Sequence, residues 1–188
     1  MVMRELIKNV LMQSIMKLYH EDYDNIKFGV SERNICARLA HHMENIMRKY
    51  DKIKKSDVFN NYYVDVEYNR MGNGDFKFYE NSEHRPQYMV SDLLVQSRGE
   101  KNNLLALEMK RKGNYKNVAK DKERLASLVQ PYSEGLQFEC VRDTMLGAFV
   151  VYGKDGVDFE FFWYSSGKVQ TTKTHWDKND NKDYLVLY

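Results

Sequence analysis

Two short apolar stretches in the middle of the chain form the clearest pattern in the sequence. They are Met89–Val95 and Leu104–Met109, and a polar, glycine-containing connection separates them. This pattern predicts two adjacent β-strands joined by a tight loop. Side chains alternate between the two faces of a strand, so Glu108 and Lys110 are expected on one face and Met109 on the other.

The first part of the chain predicts helices followed by a strand. Apolar residues at helical spacing indicate an amphipathic helix over residues 3–20 and a second helix that begins after the N-cap Ser31. The segments Glu21–Gly29 and Arg48–Asp57 are polar or basic and are expected to be connections. Strict alternation of apolar and polar residues in Tyr62–Tyr68 predicts a strand with one polar face.

The second part predicts one helix followed by β-structure. The helix spans about Val118–Val129, and Pro131 ends it. The sequence GKDG at Gly153–Gly156 is typical of a hairpin turn. Strands are predicted at Phe76–Tyr79, Leu146–Tyr152, Val157–Tyr164, Val169–Thr174 and Tyr184–Tyr188. The expected fold class is therefore α/β (α+β), with a mixed central sheet flanked by helices, N-terminal helices and a C-terminal antiparallel hairpin extension.

Composition is that of a globular chain. With 188 residues, 43% of them apolar and 30% charged, we expect a single domain over residues 1–188 with a sizeable core. Uncharged apolar runs are too short for a membrane helix, and the N-terminal segment lacks a signal-peptide pattern, so no membrane partner and a cytoplasmic location are expected. Cys36 and Cys140 match no zinc-site spacing and are expected to be buried, reduced thiols.

Charge is unevenly distributed although the net charge is only +2. Between Lys110 and Lys122 the chain carries six basic residues against Asp121 alone. Such a cluster suits a phosphate-backbone partner, but it equally suits a solvated surface, and both interpretations stay open. A P-loop nucleotide site is excluded, because the sequence contains no G-x-x-x-x-G-K-[ST] segment.

Charged residues inside the apolar stretches mark the candidate chemistry. Asp92 interrupts the first stretch, and Glu108 and Lys110 interrupt the second. Such groups cost stability unless they are paired or bind a metal, so a cross-strand ion pair between Asp92 and Lys110 is the alternative to a functional site. Glu32 precedes Ile35 by three residues and therefore lies on the apolar stripe of its helix; a favourable interaction with the helix dipole is the alternative there.

The order of these motifs is similar to that of a known superfamily. SD, an apolar run, a loop and then EMK resemble the core of the PD-(D/E)XK (restriction-endonuclease-like) nucleases, with Ser91 at the position of the motif's proline. A group of uncharacterised bacterial members has similar segments in the same order as four in this chain: VDVEYNR, RG, NNLLALEMK and DKERLASL. The resemblance covers about Ser31 to Gly147.

The resemblance implies a divalent-metal-dependent nuclease that hydrolyses phosphodiester bonds in DNA, in restriction or phage defence. Mg²⁺ or Mn²⁺ would be bound by Asp92, Glu108 and the backbone carbonyl of Met109. Glu32 would complete the metal shell or hold a second metal, and Lys110 would position the attacking water or neutralise charge in the transition state. Target recognition would come from the chain's own loops, a homodimer or a partner in a defence complex.

Contacts with nucleic acid are assigned to basic residues near this site. The expected contacts are Lys112, Lys116, Lys120, Lys122 and Arg70. For Arg70, protection of a sheet edge by charge is the alternative. A non-catalytic nucleic-acid- or protein-binding module on the same fold is the alternative to an enzyme.

Overall fold

The computed structural model describes residues 2–67, 76, 78–97, 103–131 and 143–179. The helices in these ranges are α1 (Met3–Glu21), α2 (Tyr23–Phe28), α3 (Glu32–Lys54) and α4 (Val118–Leu128). The strands are β1 (Tyr62–Val66), β2 (Phe78–Glu80), β3 (Pro86–Tyr88), β4 (Leu93–Ser97), β5 (Asn103–Arg111), β6 (Leu146–Tyr152), β7 (Gly156–Ser165) and β8 (Lys168–Asp177).

Six of the strands form one mixed sheet in the order β1-β4-β5-β6-β7-β8. Its neighbouring strands are antiparallel except β5 and β6, which are parallel and are connected through α4. β2 and β3 form a separate antiparallel ribbon. The predicted mixed α/β architecture is thus confirmed, and so is the hairpin at residues 153–156, since β6 ends at Tyr152 and β7 begins at Gly156.

The two faces of the sheet carry different apolar clusters. Helices α1 and α3 cover one face, where they pack against odd-numbered β5 residues such as Met109. α4 and Tyr79 of the β2–β3 ribbon cover the other face, where Ala106 of β5 belongs to the cluster. Alternation along the strand therefore places Glu108 and Lys110 on the α4 face. That the two share a face, opposite to Met109, is as the sequence predicted.

Helix α3 is longer than predicted. It begins after Ser31, whose hydroxyl accepts a hydrogen bond from the amide of Asn34, and it continues to Lys54 instead of ending near Arg48. The basic residues predicted as a connection form its last turns, where positive charge interacts favourably with the helix dipole. Asp51, near the end of α3, holds the segment that follows the helix, because its carboxylate accepts hydrogen bonds from the amides of that segment, including the amide of Phe59.

Other element bounds also differ from the prediction. The predicted loop Glu21–Gly29 contains α2, which ends at Gly29 in the left-handed conformation (φ 72°). The stretch Met89–Val95 is a strand only from Leu93 onwards. The predicted strand Tyr184–Tyr188 lies outside the described residues.

A buried histidine ties α3 to the junction of α1 and α2. His42 lies on the buried side of α3, and only 1% of its side chain is exposed. Its Nε2 lies 2.6 Å from the carboxylate of Asp22, which also pairs with Arg38 at 2.7 Å. Asp22 thus satisfies Nε2 of the buried ring, whereas Nδ1 forms no hydrogen bond with the described residues and lies 3.9 Å from Glu21 Oε2.

Candidate functional site

Strand β5 extends beyond the beginning of its neighbour β4. Leu93, the first residue of β4, pairs with Leu107, whereas β5 continues to Arg111. On this extended edge the amide of Met109 donates to Asp92 Oδ2 at 2.7 Å, and the amide of Arg111 donates to Glu32 Oε1 at 2.9 Å. Two carboxylates thus cap backbone groups that a neighbouring strand would otherwise bind.

The carbonyl of Met109 lies on the same edge. The N–H and C=O groups of one strand residue point to the same side of the strand, and the Met109 amide points towards Asp92. Its carbonyl oxygen therefore faces the edge between the positions capped by Asp92 and Glu32. Asp92, the Met109 carbonyl and Glu32 consequently follow one another along β5.

Glu108 lies beside Asp92 on the α4 face. β4 begins at Leu93, which pairs with Leu107. Continuing this register by one residue places Asp92, just before the strand, opposite Glu108, and the charge of Asp92 acts on the pKa of Glu108. Glu108 is only 2% exposed. Burial is the main reason why the pKa of Glu108 is raised well above its ordinary value; the negative charge of Asp92 adds to the effect and the positive charge of Arg124 opposes it.

The ion pairs of Lys110 and Arg124 meet at Asp121 of α4. Lys110 Nζ lies 3.1 Å from Asp121 Oδ2, and Arg124 Nη2 lies 2.7 Å from Asp121 Oδ1. Arg124 Nη1 lies 3.2 Å from Glu108 Oε1. Burial lowers the pKa of Lys110, but the ion pair with the Asp121 carboxylate outweighs burial, so the pKa is raised and the lysine stays charged. The ion pair of Lys110 is therefore with Asp121, and not the Asp92–Lys110 pair considered from the sequence.

A buried thiol lies directly behind these carboxylates. Cys36 Sγ is 3.9 Å from the sulfur of Met109, and burial raises its pKa, with further contributions from the charges of Asp92, Glu32 and Glu108. The charges of several carboxylates, Glu67 included, therefore act on this thiol. Cys36 is a free, buried thiol as predicted, whereas Cys140 lies outside the described residues.

The donor atoms suit a hard divalent cation. Glu108 Oε1 is buried and accepts no hydrogen bond from the residues that the structure describes, and Asp92 and the Met109 carbonyl supply further oxygens nearby. Carboxylate and carbonyl oxygens with several waters are the usual ligands of Mg²⁺. In the described ranges, however, no group of three or more His, Cys, Asp or Glu side chains is arranged to hold a metal ion. Glu32 is instead bound to the Arg111 amide and to Asn114 Nδ2, also at 2.9 Å.

The basic residues differ in their surroundings. Lys112, Lys116 and Lys120 are exposed around the β5–α4 connection. Lys122 is held against β7, because its ammonium lies 2.6 Å from a carboxylate oxygen of Glu160. Arg70 lies outside the described residues.

Sequence reasoning missed the role of Asp121. It precedes Leu125 by four residues and Leu128 by seven, so it belongs to the buried stripe of α4 and is only 3% exposed. A carboxylate on an apolar stripe was the signal that selected Glu32, and the same signal selects Asp121. The contact between Arg124 and Glu108 depends on tertiary packing that the sequence does not display.

The comparisons with known proteins leave the site to be interpreted from its own geometry. No family model, curated protein or solved structure matches the chain. None of the helices in the described ranges is both long enough and apolar enough to cross a bilayer.

Proposed function

We propose that the protein is a divalent-metal-dependent nuclease with a restriction-endonuclease-like (PD-(D/E)XK) core, and that it hydrolyses phosphodiester bonds in DNA. The observation that supports this proposal is the juxtaposition of Asp92 and Glu108, with Lys110 on the same face and the Met109 carbonyl on the adjoining strand edge. Restriction or phage defence in the cytoplasm is the setting we propose for the activity.

The acidic residues would hold the ion. Asp92, Glu108 and the Met109 carbonyl would bind Mg²⁺ or Mn²⁺, and Glu32 lies next along the β5 edge. When bound, the ion supplies positive charge for the phosphate and lowers the pKa of a coordinated water. Because Glu108 is buried, bulk water does not reach its carboxylate, and electrostatic interactions between this carboxylate and a bound ion would be stronger than in water.

Lys110 would orient the attacking water and neutralise charge that develops on the phosphate. It stays protonated because Asp121 raises its pKa, and Asp121 fixes the position of its ammonium group. The exposed lysines 112, 116 and 120 lie where the chain leaves β5 and enters α4. They would contact the phosphates that flank the cleaved bond.

A non-catalytic binding module on the same fold is the second candidate. It is favoured by the ion pairs in which Glu108 and Lys110 already take part, with Arg124 and Asp121 as partners. A closed set of ion pairs can serve structure alone, and a surface lined with lysines could still bind nucleic acid.

A cleavage assay separates the two candidates. The protein is incubated with supercoiled plasmid, linear duplex and single-stranded DNA, each with Mg²⁺, Mn²⁺ or EDTA. We expect metal-dependent cleavage that is lost in Asp92→Asn. The matched control is Asp158→Asn, which removes an exposed carboxylate that pairs with His175 on β8, and it should cut like the wild type.

The outcomes are distinct. If every substrate stays intact with Mn²⁺ while DNA still binds, the binding module is correct and the nuclease proposal is wrong. Cleavage that persists in Asp92→Asn would assign the activity to another part of the surface or to a contaminant.

A further inference from the structure

Arg124 occupies an unusual position for a basic residue next to a metal site. Its guanidinium group bridges two carboxylates, with Nη1 3.2 Å from Glu108 Oε1 and Nη2 2.7 Å from Asp121 Oδ1. Nη1 also donates to the carbonyl of Val90, two residues before Asp92, and the group lies 5.8 Å from the centre of the Tyr79 ring. Arg124 is therefore the positive charge nearest to the oxygen of Glu108 that accepts no hydrogen bond from the described residues.

A guanidinium group and a divalent cation compete for the same carboxylate. Glu108 is nearly fully buried, so it needs a positive neighbour whenever it is ionised. Arg124 provides that neighbour in the structure. A dication bound to Glu108 would take over this function, and at such short range it would repel the guanidinium group.

Asp121 determines what happens to a displaced Arg124. Its carboxylate holds Arg124 through Nη2 and Lys110 through the other oxygen. If the contact with Glu108 is lost, Asp121 still keeps the arginine beside the site and does not release it to solvent. A planar guanidinium group with free donors is well suited to bind phosphate oxygens.

We infer that Arg124 neutralises Glu108 while no ion is bound, gives way to the divalent cation, and then binds a phosphate of the substrate. Arg124 thereby opposes metal binding and makes it dependent on the presence of a phosphodiester. This inference rests on the metal site proposed above, and it assigns to Arg124 a role in both metal affinity and substrate binding.

The test measures Mn²⁺ binding without DNA, by isothermal titration calorimetry and by the electron paramagnetic resonance signal of free Mn²⁺. Arg124→Gln should bind Mn²⁺ at least about tenfold more tightly than the wild type, because a competing charge is removed. The matched control is Lys122→Gln, which removes one positive charge from the same helix at a residue paired with Glu160. It should leave Mn²⁺ affinity within about twofold of the wild type.

DNA binding in Ca²⁺ provides the second measurement. Arg124→Gln should bind a short duplex about tenfold more weakly than the wild type in Ca²⁺, with little difference between the two in EDTA. If Arg124→Gln does not fold, as judged by circular dichroism, Arg124→Met replaces it, since a long apolar side chain keeps the contact with Tyr79.

The inference is wrong if a folded, neutral variant at position 124 binds Mn²⁺ no more tightly than Lys122→Gln. That result, together with metal-dependent cleavage by the wild type, would leave the proposed nuclease function intact. If neither the wild type nor Arg124→Gln binds Mn²⁺ at millimolar concentration, the metal site itself is refuted and this inference with it. Tighter binding by Arg124→Gln in a protein that cuts no DNA supports the inference and rejects only the nuclease.

Discussion

Two substitutions of Asp92 separate its structural role from its proposed chemical role. Asp92 Oδ2 accepts a hydrogen bond of 2.7 Å from the Met109 amide, where β5 extends beyond Leu93, the first residue of β4. Asp92→Asn keeps an oxygen that can accept this bond but removes the negative charge. Asp92→Ala removes both, and it leaves a backbone donor without its partner beside a buried strand.

The expected magnitudes follow from these contacts. Loss of the partner of a buried amide costs about 1–3 kcal/mol, so Asp92→Ala should be less stable than the wild type by roughly 2 kcal/mol. For a chain of this size that corresponds to a melting temperature lower by about 4–8 °C. Burial raises the pKa of Asp92, so ionised Asp92 is disfavoured by the fold. Asp92→Asn should therefore be at least as stable as the wild type at neutral pH.

The assay is urea unfolding followed by circular dichroism, with Mn²⁺ titration of the same samples. Both variants should lose Mn²⁺ binding, whereas only Asp92→Ala should lose stability. Equal stability of the two variants would show that the Met109 amide does not depend on this carboxylate. Retained Mn²⁺ binding in Asp92→Asn would remove Asp92 from the metal site.

Three further predictions concern stability. Because the pKa of Glu108 is raised in the fold, the free energy of unfolding should fall as pH rises from 4.5, the ordinary pKa of a glutamate, through the pKa in the folded protein. Glu108→Gln should abolish this fall, as measured by urea unfolding at acid and at neutral pH. Asp22→Ala removes the carboxylate that pairs with Nε2 of the buried His42, and it should lower stability by about 2–3 kcal/mol at neutral pH. Because the pKa of Asp22 is depressed in the fold, the stability difference between wild type and variant should shrink as pH falls below 3.8, as measured by a series of melting curves. Gly147→Val places a Cβ 3.2 Å from that of Phe162 on β7 and 3.3 Å from that of Leu125 on α4, and it should cost about 1–3 kcal/mol by urea unfolding. An unchanged midpoint would show that both neighbours can move aside.

Local patterns predicted the elements of the sheet better than their ends. Alternation and apolar runs identified β1, β4, β5 and β6, because each strand buries at least one face. The end of α3 was misjudged because its last turns are basic, and their contacts with the following segment, such as that between Arg48 and the Phe59 carbonyl, come from tertiary packing. The short helix α2 was missed because it has only one buried residue, Ile26.

The candidate site was predicted as a set of residues but not as a set of contacts. Polar residues within apolar patterns identified Asp92, Glu108 and Glu32, since such placement is costly without a partner. Which partner each residue has depends on how α4 packs on the sheet. The pattern therefore could not show that Asp121 pairs with Lys110, or that Glu32 caps the end of β5.

The extended edge of β5 has a consequence for hydrogen exchange. Within a sheet, amide protons are usually protected by carbonyl groups, which do not titrate. Those of Met109 and Arg111 are instead held by carboxylates, whose acceptor strength falls when they bind a proton. The Met109 amide should therefore exchange faster in acid than its neighbours in β5, and its exchange rate would report the ionisation of Asp92.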